Sequence, residues 1–166
     1  NQSIKDYFYR IKRKTALLIS ASCQLGALVT DAPAPLVNSL NRYGHYIGMS
    51  FQITDDILDM VADEKELGKP VGSDLRQGII TLPAIFALQK HGQRSEFARL
   101  IQTRDKTDNQ IKRAIDVIIA SDGIKLSSSV AKKYAEKAKK EIIKLPPVKY
   151  RNTLEQMADF ICTRKY

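Results

Sequence analysis

The chain has 166 residues, 43% of them hydrophobic and 27% charged, a balance that can bury one sizeable core and excludes a disordered polymer. Lysine and arginine outnumber aspartate and glutamate by 27 to 18, a net charge of +9 that favours anionic partners: diphosphates, nucleic acid or an anionic membrane surface. Two isolated cysteines, Cys23 and Cys162, exclude a disulfide framework or a cysteine zinc site and read as reduced thiols of a cytoplasmic protein, while the longest uncharged stretch, Thr15 to Thr30, falls short of the ~20 apolar residues of a membrane span.

Helical periodicity runs from end to end. Ser3 is placed to cap a helix that carries Tyr7, Ile11, Leu17 and Leu18 on its apolar stripe and extends to about Val29. Asp31-Ala32-Pro33-Ala34-Pro35 ends it, because proline suits first turns and breaks rather than interiors. A second helix is expected from Pro35 to Val61, with Leu36, Leu40, Tyr43, Ile47 and Phe51 as its apolar stripe. Gly44 and Gly48 stand four apart on it, where they would let another helix, or a ligand, approach the backbone closely. Periodicity then stops between Asp63 and Gly78, in a loop bearing glycine, proline and lysine. Further helices are expected over Ile79 to His91, with Pro83 tolerated early, and over Ser95 to Thr103. Thr107 and Gln110 have the form of a capping box opening a helix to Ser121. A long basic helix should cover Lys125 to Lys144, Pro146-Pro147 should break it, and a last helix should cover Lys149 to Thr163. The sequence contains no convincing strand and no solenoid repeat, so the expected architecture is an all-α bundle of antiparallel helices.

Chemistry concentrates in Phe51-Gln52-Ile53-Thr54-Asp55-Asp56-Ile57-Leu58-Asp59. Asp55 and Asp59 lie four apart and share one helical face, and Asp56 is beside them. Like charges so close repel, and helix packing does not require them. Such a cluster is most often a solvated face. Here the flanking Phe51, Ile53, Ile57, Leu58 and Met60 are apolar, and a basic glycine loop follows. A Mg²⁺ ion would relieve the repulsion, because it takes one or two carboxylates and completes its octahedron with waters and substrate phosphates.

Four pieces fall in order along the chain: Lys14-Thr15; Phe51-Gln52 with Asp55-Asp56-Ile57-Leu58-Asp59; Gly68-Lys69-Pro70-Val71-Gly72-Ser73-Asp74; and Arg76-Gln77-Gly78-Ile79-Ile80-Thr81-Leu82-Pro83. Together they closely resemble the second half of the trans-isoprenyl diphosphate synthases, the polyprenyl synthetase family. The resemblance implies the isoprenoid synthase helical fold, here as the C-terminal part of a single domain covering 1–166. It implies a Mg²⁺-dependent condensation of an allylic diphosphate with isopentenyl diphosphate. By the resemblance Asp55, Asp56 and Asp59 are metal-binding, with Asp55 the main ligand and Asp59 nearer the water-mediated shell. Lys14, Thr15, Gln52 and Lys69 match positions that hold the allylic diphosphate or steady the developing charge, and Phe51 belongs to the same substrate-binding set. The wording of the loop resembles bacterial hexaprenyl and heptaprenyl synthases serving quinone side chains. A homodimer, a heterodimer with a small subunit, and peripheral membrane contact for product release are the implied assemblies.

The family's first aspartate-rich motif and the arginine pair after it are absent from these residues, and Asn1 rather than Met opens them, so the sequence reads as the C-terminal half of a longer enzyme. Alone, it is expected to be inactive. Ile79 stands where some members carry a second lysine. Two other readings of the family likeness remain: a non-catalytic helical subunit of a two-component synthase, and a short-chain, geranylgeranyl-type synthase. Nucleic acid is not an expected partner, since Glu136 and Glu141 interrupt the Lys132 to Lys144 segment. His45 and His91 read as structural or surface residues, and Tyr7, Tyr43 and Cys23 as core.

Overall fold

The structure is a computed structural model that describes residues 2–61, 70–92, 95–147 and 149–164. Among these residues there are helices and turns and no strand. In chain order they are α1 (Ile4–Ile11), a π-helical turn (Lys12–Ala16), α2 (Leu17–Leu28), α3 (Ala34–Val61), α4 (Ser73–Arg76), α5 (Leu82–His91), α6 (Glu96–Gln102), α7 (Asp108–Ala120), α8 (Gly123–Ile142) and α9 (Lys149–Thr163). The helices gather into two compact units. One takes the chain up to Tyr7 and Asp55–Ser128; the other takes Phe8–Thr54 and Ser129–Arg164.

The caps follow local chemistry. Ser3 and Asp6 exchange bonds: the Asp6 N–H donates to Ser3 Oγ and the Ser3 N–H to the Asp6 carboxylate. Thr107 and Gln110 complete the capping box expected at α7, with the Thr107 hydroxyl accepting the Gln110 N–H and the Gln110 amide oxygen accepting the Thr107 N–H. α5 starts at Leu82 rather than Ile79. Thr81 is extended (φ −105°, ψ 173°) and Pro83 follows within the first turn, where its missing N–H costs nothing. Four residues inside the expected loop, Ser73–Arg76, form one helical turn of their own.

The first unit packs Met60 of α3 with Leu75, Ala84, Phe97, Ile111 and Ile118, drawn from five helices. Each of these side chains larger than alanine contributes about 1.5–3 kcal/mol on burial. In the second unit Tyr43 and Ile47 of α3 meet Ala138 and Ile142 of α8 and Ala158 and Ile161 of α9. The Tyr43 hydroxyl donates to the Leu154 carbonyl at 2.9 Å, and burial holds its phenol pKa well above the usual tyrosine range. Gly44 and Gly48 serve close packing. A Cβ at Gly44 would lie 2.7 Å from the Ile19 carbonyl oxygen, and one at Gly48 would lie 2.5 Å from Ala16 Cα.

The first helix differs from its expected register. Leu17 and Leu18, placed on the buried stripe by the sequence, are 47% and 73% exposed, and the buried positions are Tyr7, Ile11, Ala16, Ser20 and Ala27. The step from Ile11 to Ala16 is five residues instead of the three or four of an α-helix. The π turn supplies that extra residue: the Leu17 N–H reaches the Lys12 carbonyl, five positions back.

Candidate active site

Two of the expected substrate residues sit on that π turn. Widening the helix by one residue moves the apolar stripe onto Ala16 and leaves Lys14 exposed, with Thr15 half-buried. Single π turns inside α-helices recur at functional sites. Thr15 Oγ1 donates to Gln52 Oε1 of α3 at 2.6 Å, and Gln52 is only 3% exposed. The Gly48–Ala16 approach one turn earlier on α3 holds the two backbones near enough for this bond. Phe51 is half-buried against the second unit's core. Its ring lies under the Arg164 guanidinium, 4.2 Å from centroid to Cζ, and the Arg164 Nη2 donates to the Phe51 carbonyl at 3.4 Å. Lys69 lies outside the described residues.

The three aspartates share α3 but have different surroundings. Asp55 is half-buried and keeps partial access to solvent. Asp56 is 3% exposed, and its Oδ2 accepts the Tyr7 hydroxyl at 2.6 Å. Asp59 is 2% exposed, and its Oδ2 accepts the Asp74 backbone N–H at 3.0 Å. The Asp59 carbonyl also accepts the Gly72 N–H at 2.7 Å. Asp59 therefore fastens the far end of the glycine loop to the helix.

Gly72 is needed there twice over. Its φ of +75° lies in the left-handed region, and a Cβ would come 2.7 Å from Ile111 Cγ2.

Among the described residues no three His, Cys, Asp or Glu side chains converge as a cage for a metal ion. The three carboxylates expected to bind metal differ in burial. Two are turned into buried hydrogen bonds, and Asp55 alone is half-exposed. Sequence reasoning assigned Tyr7 to the core, where it does lie at 0% exposure, and missed its bond to Asp56, 49 residues away. Nothing local to Tyr7 signals that partner. Both histidines are ring-packed, His45 on Tyr46 at 5.5 Å and His91 on Phe97 at 5.7 Å, and burial followed by the Lys12 charge lowers the His45 pKa.

The Polyprenyl synthetase family profile matches residues 1–118. The chain belongs to the polyprenyl synthetase family. It is 44% identical over 166 residues to heptaprenyl diphosphate synthase component 2 of Geobacillus stearothermophilus and 42% identical over 165 residues to the component 2 of Bacillus subtilis. Those matches take in 100% and 99% of this chain but 51% and 47% of the relatives, so the chain spans about half the length of the curated relatives it matches.

Solved members of the family share its fold. A polyprenyl synthase from Caulobacter crescentus, complexed with calcium and isoprenyl diphosphate, superposes with a TM-score of 0.94 at 35% identity, covering 100% of this chain and 51% of that one. A heptaprenyl diphosphate synthase from Staphylococcus aureus gives 0.92 at 39% identity, covering 100% and 52%. The fold is therefore the all-α isoprenoid synthase type expected from the sequence.

Proposed function

We propose that the protein is the C-terminal part of a trans-polyprenyl diphosphate synthase, which joins an allylic diphosphate such as farnesyl diphosphate to isopentenyl diphosphate and lengthens an all-trans chain. The observation that carries this reading is the Thr15–Gln52 pair: a hydroxyl and an amide locked together beside an exposed lysine on a π turn, on the same helix as Asp55. Component 2 relatives support a heptaprenyl-length product and a heteromeric assembly with a second subunit. A homodimer is the alternative assembly. We place the protein in the cytoplasm, with quinone side chains as the destination of the product.

Heterolysis of the allylic C–O bond leaves a carbocation and a diphosphate anion. The double bond of isopentenyl diphosphate attacks the cation, and a proton is then lost. Lys14 places a point charge where the diphosphate charge develops. Thr15 and Gln52 hold neutral oxygen dipoles in one fixed arrangement and offer the cation no strong nucleophile. The exposed apolar side chains Leu17, Leu18 and Leu25 follow on α2, and the absence of charge from Thr15 to Thr30 supports a dry wall that would keep water from the cation.

The donor set on α3 suits Mg²⁺, a hard ion that takes carboxylate oxygens. Asp55 would hold it directly, while Asp56 and Asp59, engaged by Tyr7 and Asp74, fix the helix that presents Asp55. Bound there, the ion would supply charge neutralisation to the leaving diphosphate.

Incubation of the full-length protein with labelled isopentenyl diphosphate, farnesyl diphosphate and MgCl₂, followed by chromatography of the products, tests the proposal. A ladder of lengthened all-trans chains is expected. A folded, complete protein that incorporates no label, alone or with its second subunit, sinks it.

A further inference from the structure

The last turn of α9 grips the two residues that precede Gln52 on α3. Cys162 Sγ lies 3.4 Å from Ser50 Oγ, 112 residues away. Ser50 is wholly buried, and its hydroxyl donates its one proton to the Ala131 carbonyl at 3.0 Å. The Cys162 thiol is therefore the donor in the contact with Ser50. Two residues further on, the half-buried Arg164 meets Phe51. Its guanidinium lies over the ring, 4.2 Å from the centroid, and its Nη2 donates to the Phe51 carbonyl at 3.4 Å.

These contacts differ in kind. Ile161 and Cys162 pack α9 against α3: Ile161 shares a core with Tyr43 and Ile47, and Cys162 packs against that core. Arg164 stands one residue past the end of α9, where its own N–H still reaches the Phe160 carbonyl at 2.8 Å. Packing at that point does not require a charge, and partial burial of one is unfavourable unless it is well received. A guanidinium is the one basic group that can stack flat on an aromatic face and donate from its edge at the same time. Arg164 does both to a single residue, so it fixes the Phe51 ring and the Phe51 peptide together. Thr15 fixes the next side chain, Gln52, at 2.6 Å. The two consecutive members of the substrate-binding set on α3 are thus held from opposite ends of the chain.

We infer that Arg164 is a positioning residue for the allylic substrate, holding Phe51, and the peptide that leads into Gln52, in the arrangement that substrate meets. The inference rests on the proposed synthase activity. Its effect belongs to substrate affinity, because a misplaced ring weakens the fit of the group that lies against it.

The test is steady-state kinetics of the full-length protein, with its second subunit where activity requires it. Farnesyl diphosphate is varied at saturating isopentenyl diphosphate, and then the reverse. Calorimetric titration with the slowly ionising farnesyl thiodiphosphate reads affinity without turnover. Arg164→Met keeps the aliphatic stem and removes the stacking plane and the donor. It should raise KM for farnesyl diphosphate, and Kd for the analogue, about tenfold, and leave KM for isopentenyl diphosphate within about twofold. Arg164→Lys keeps the charge without the planar fork and should recover only part of the loss. Arg151→Met is the control: Arg151 lies on the same helix and donates to the Leu145 carbonyl at 3.3 Å, and its loss should leave both KM values unchanged. In a Phe51→Leu background, Arg164→Met should add little to the loss already present. Independent, additive losses would show that Arg164 does not act through Phe51 and overturn the role. So would full recovery by lysine, which reduces the effect to charge, or an Arg164→Met protein that is unfolded by circular dichroism, which makes the contact structural. Normal affinity for farnesyl diphosphate in Arg164→Met, beside an active wild type, would sink this role and leave the synthase reading standing. A wild type that neither binds the analogue nor incorporates isopentenyl diphosphate would overturn both.

Discussion

Thr15 and Gln52 are joined by a 2.6 Å hydrogen bond between a π-helical turn and the long helix α3, and that bond orders both side chains at once. Thr15→Val keeps the shape of the side chain and removes the donor. It should cost about 1 kcal/mol of stability, the net worth of one neutral hydrogen bond. Turnover of the full-length protein should fall by more than the stability loss explains, because Gln52 Oε1 then loses its anchor. Thr15→Ser restores the hydroxyl and should recover most of the activity. Thermal unfolding and steady-state turnover of both variants check this.

The close approach behind that bond can be tested separately. Gly48→Ala puts a Cβ within 2.5 Å of Ala16 Cα, which is backbone and cannot swing aside. The helices must part, at about 1–3 kcal/mol. Gly26 is the natural control: it lies in α2, and a Cβ there would meet nothing within 4 Å. Gly26→Ala should therefore stabilise the protein by about 0.5–1 kcal/mol through helix propensity. Denaturant unfolding of the pair should give opposite signs. A neutral Gly48→Ala would show that the contact does not set the helix spacing.

Gly44 and Gly48 also show what the sequence reveals and what it hides. Their spacing of four on one helix pointed to a close approach by another helix or a ligand, and a helix is what they meet. The helix order, the Thr107 capping box and the proline breaks were legible for the same reason: each is a signal carried by neighbours in the chain. The π turn was not. Ala16, Leu17, Leu18 and Ile19 are all apolar, so the sequence fits a buried stripe in either register, and only packing against α3 chooses the one that exposes Leu18. The division between the buried, hydrogen-bonded Asp56 and Asp59 and the half-buried Asp55 was hidden too, because Tyr7 and Asp74 reach Asp56 and Asp59 from 49 and 15 residues away.

Tyr7 and Asp56 offer the sharpest test of that division. The Tyr7 hydroxyl is a donor to a carboxylate that is 3% exposed. Tyr7→Phe should cost about 1.5–3 kcal/mol, the range for a hydrogen bond to a charged group. Asp55→Ala should lower turnover on the order of 10³-fold, the scale of losing one electrostatic contact to developing charge and more than any accompanying stability change explains. Measuring both quantities on both variants separates the structural carboxylate from the proposed metal-binding one. An Asp55→Ala enzyme of normal activity would refute its role.

Glu141 gives the fold a pH dependence of definite sign. Burial on its own would raise the pKa of this carboxyl, but the hydrogen bonds from Lys144 and Arg42 and the charges behind them outweigh it, and the net shift is downward. A carboxylate whose folded pKa lies below its unfolded value stabilises the fold above the unfolded pKa and loses that contribution as pH falls through the folded one. At neutral pH, Arg42→Ala should therefore destabilise the protein by about 1.5–3 kcal/mol, because it withdraws a charged donor from a side chain only 11% exposed. Glu141→Gln should show a deficit against wild type that is constant above about pH 5 and narrows as the carboxylate protonates below about pH 4. Lys139 should not contribute to that narrowing in the same way, since its pKa is raised by hydrogen bonds to Asp159 and Glu136 and its own stabilisation fades only at strongly alkaline pH. Denaturant melts of wild type, Arg42→Ala and Glu141→Gln across this range measure the gap directly. A gap that stays constant down to pH 3 would mean that Glu141 is not the titrating group.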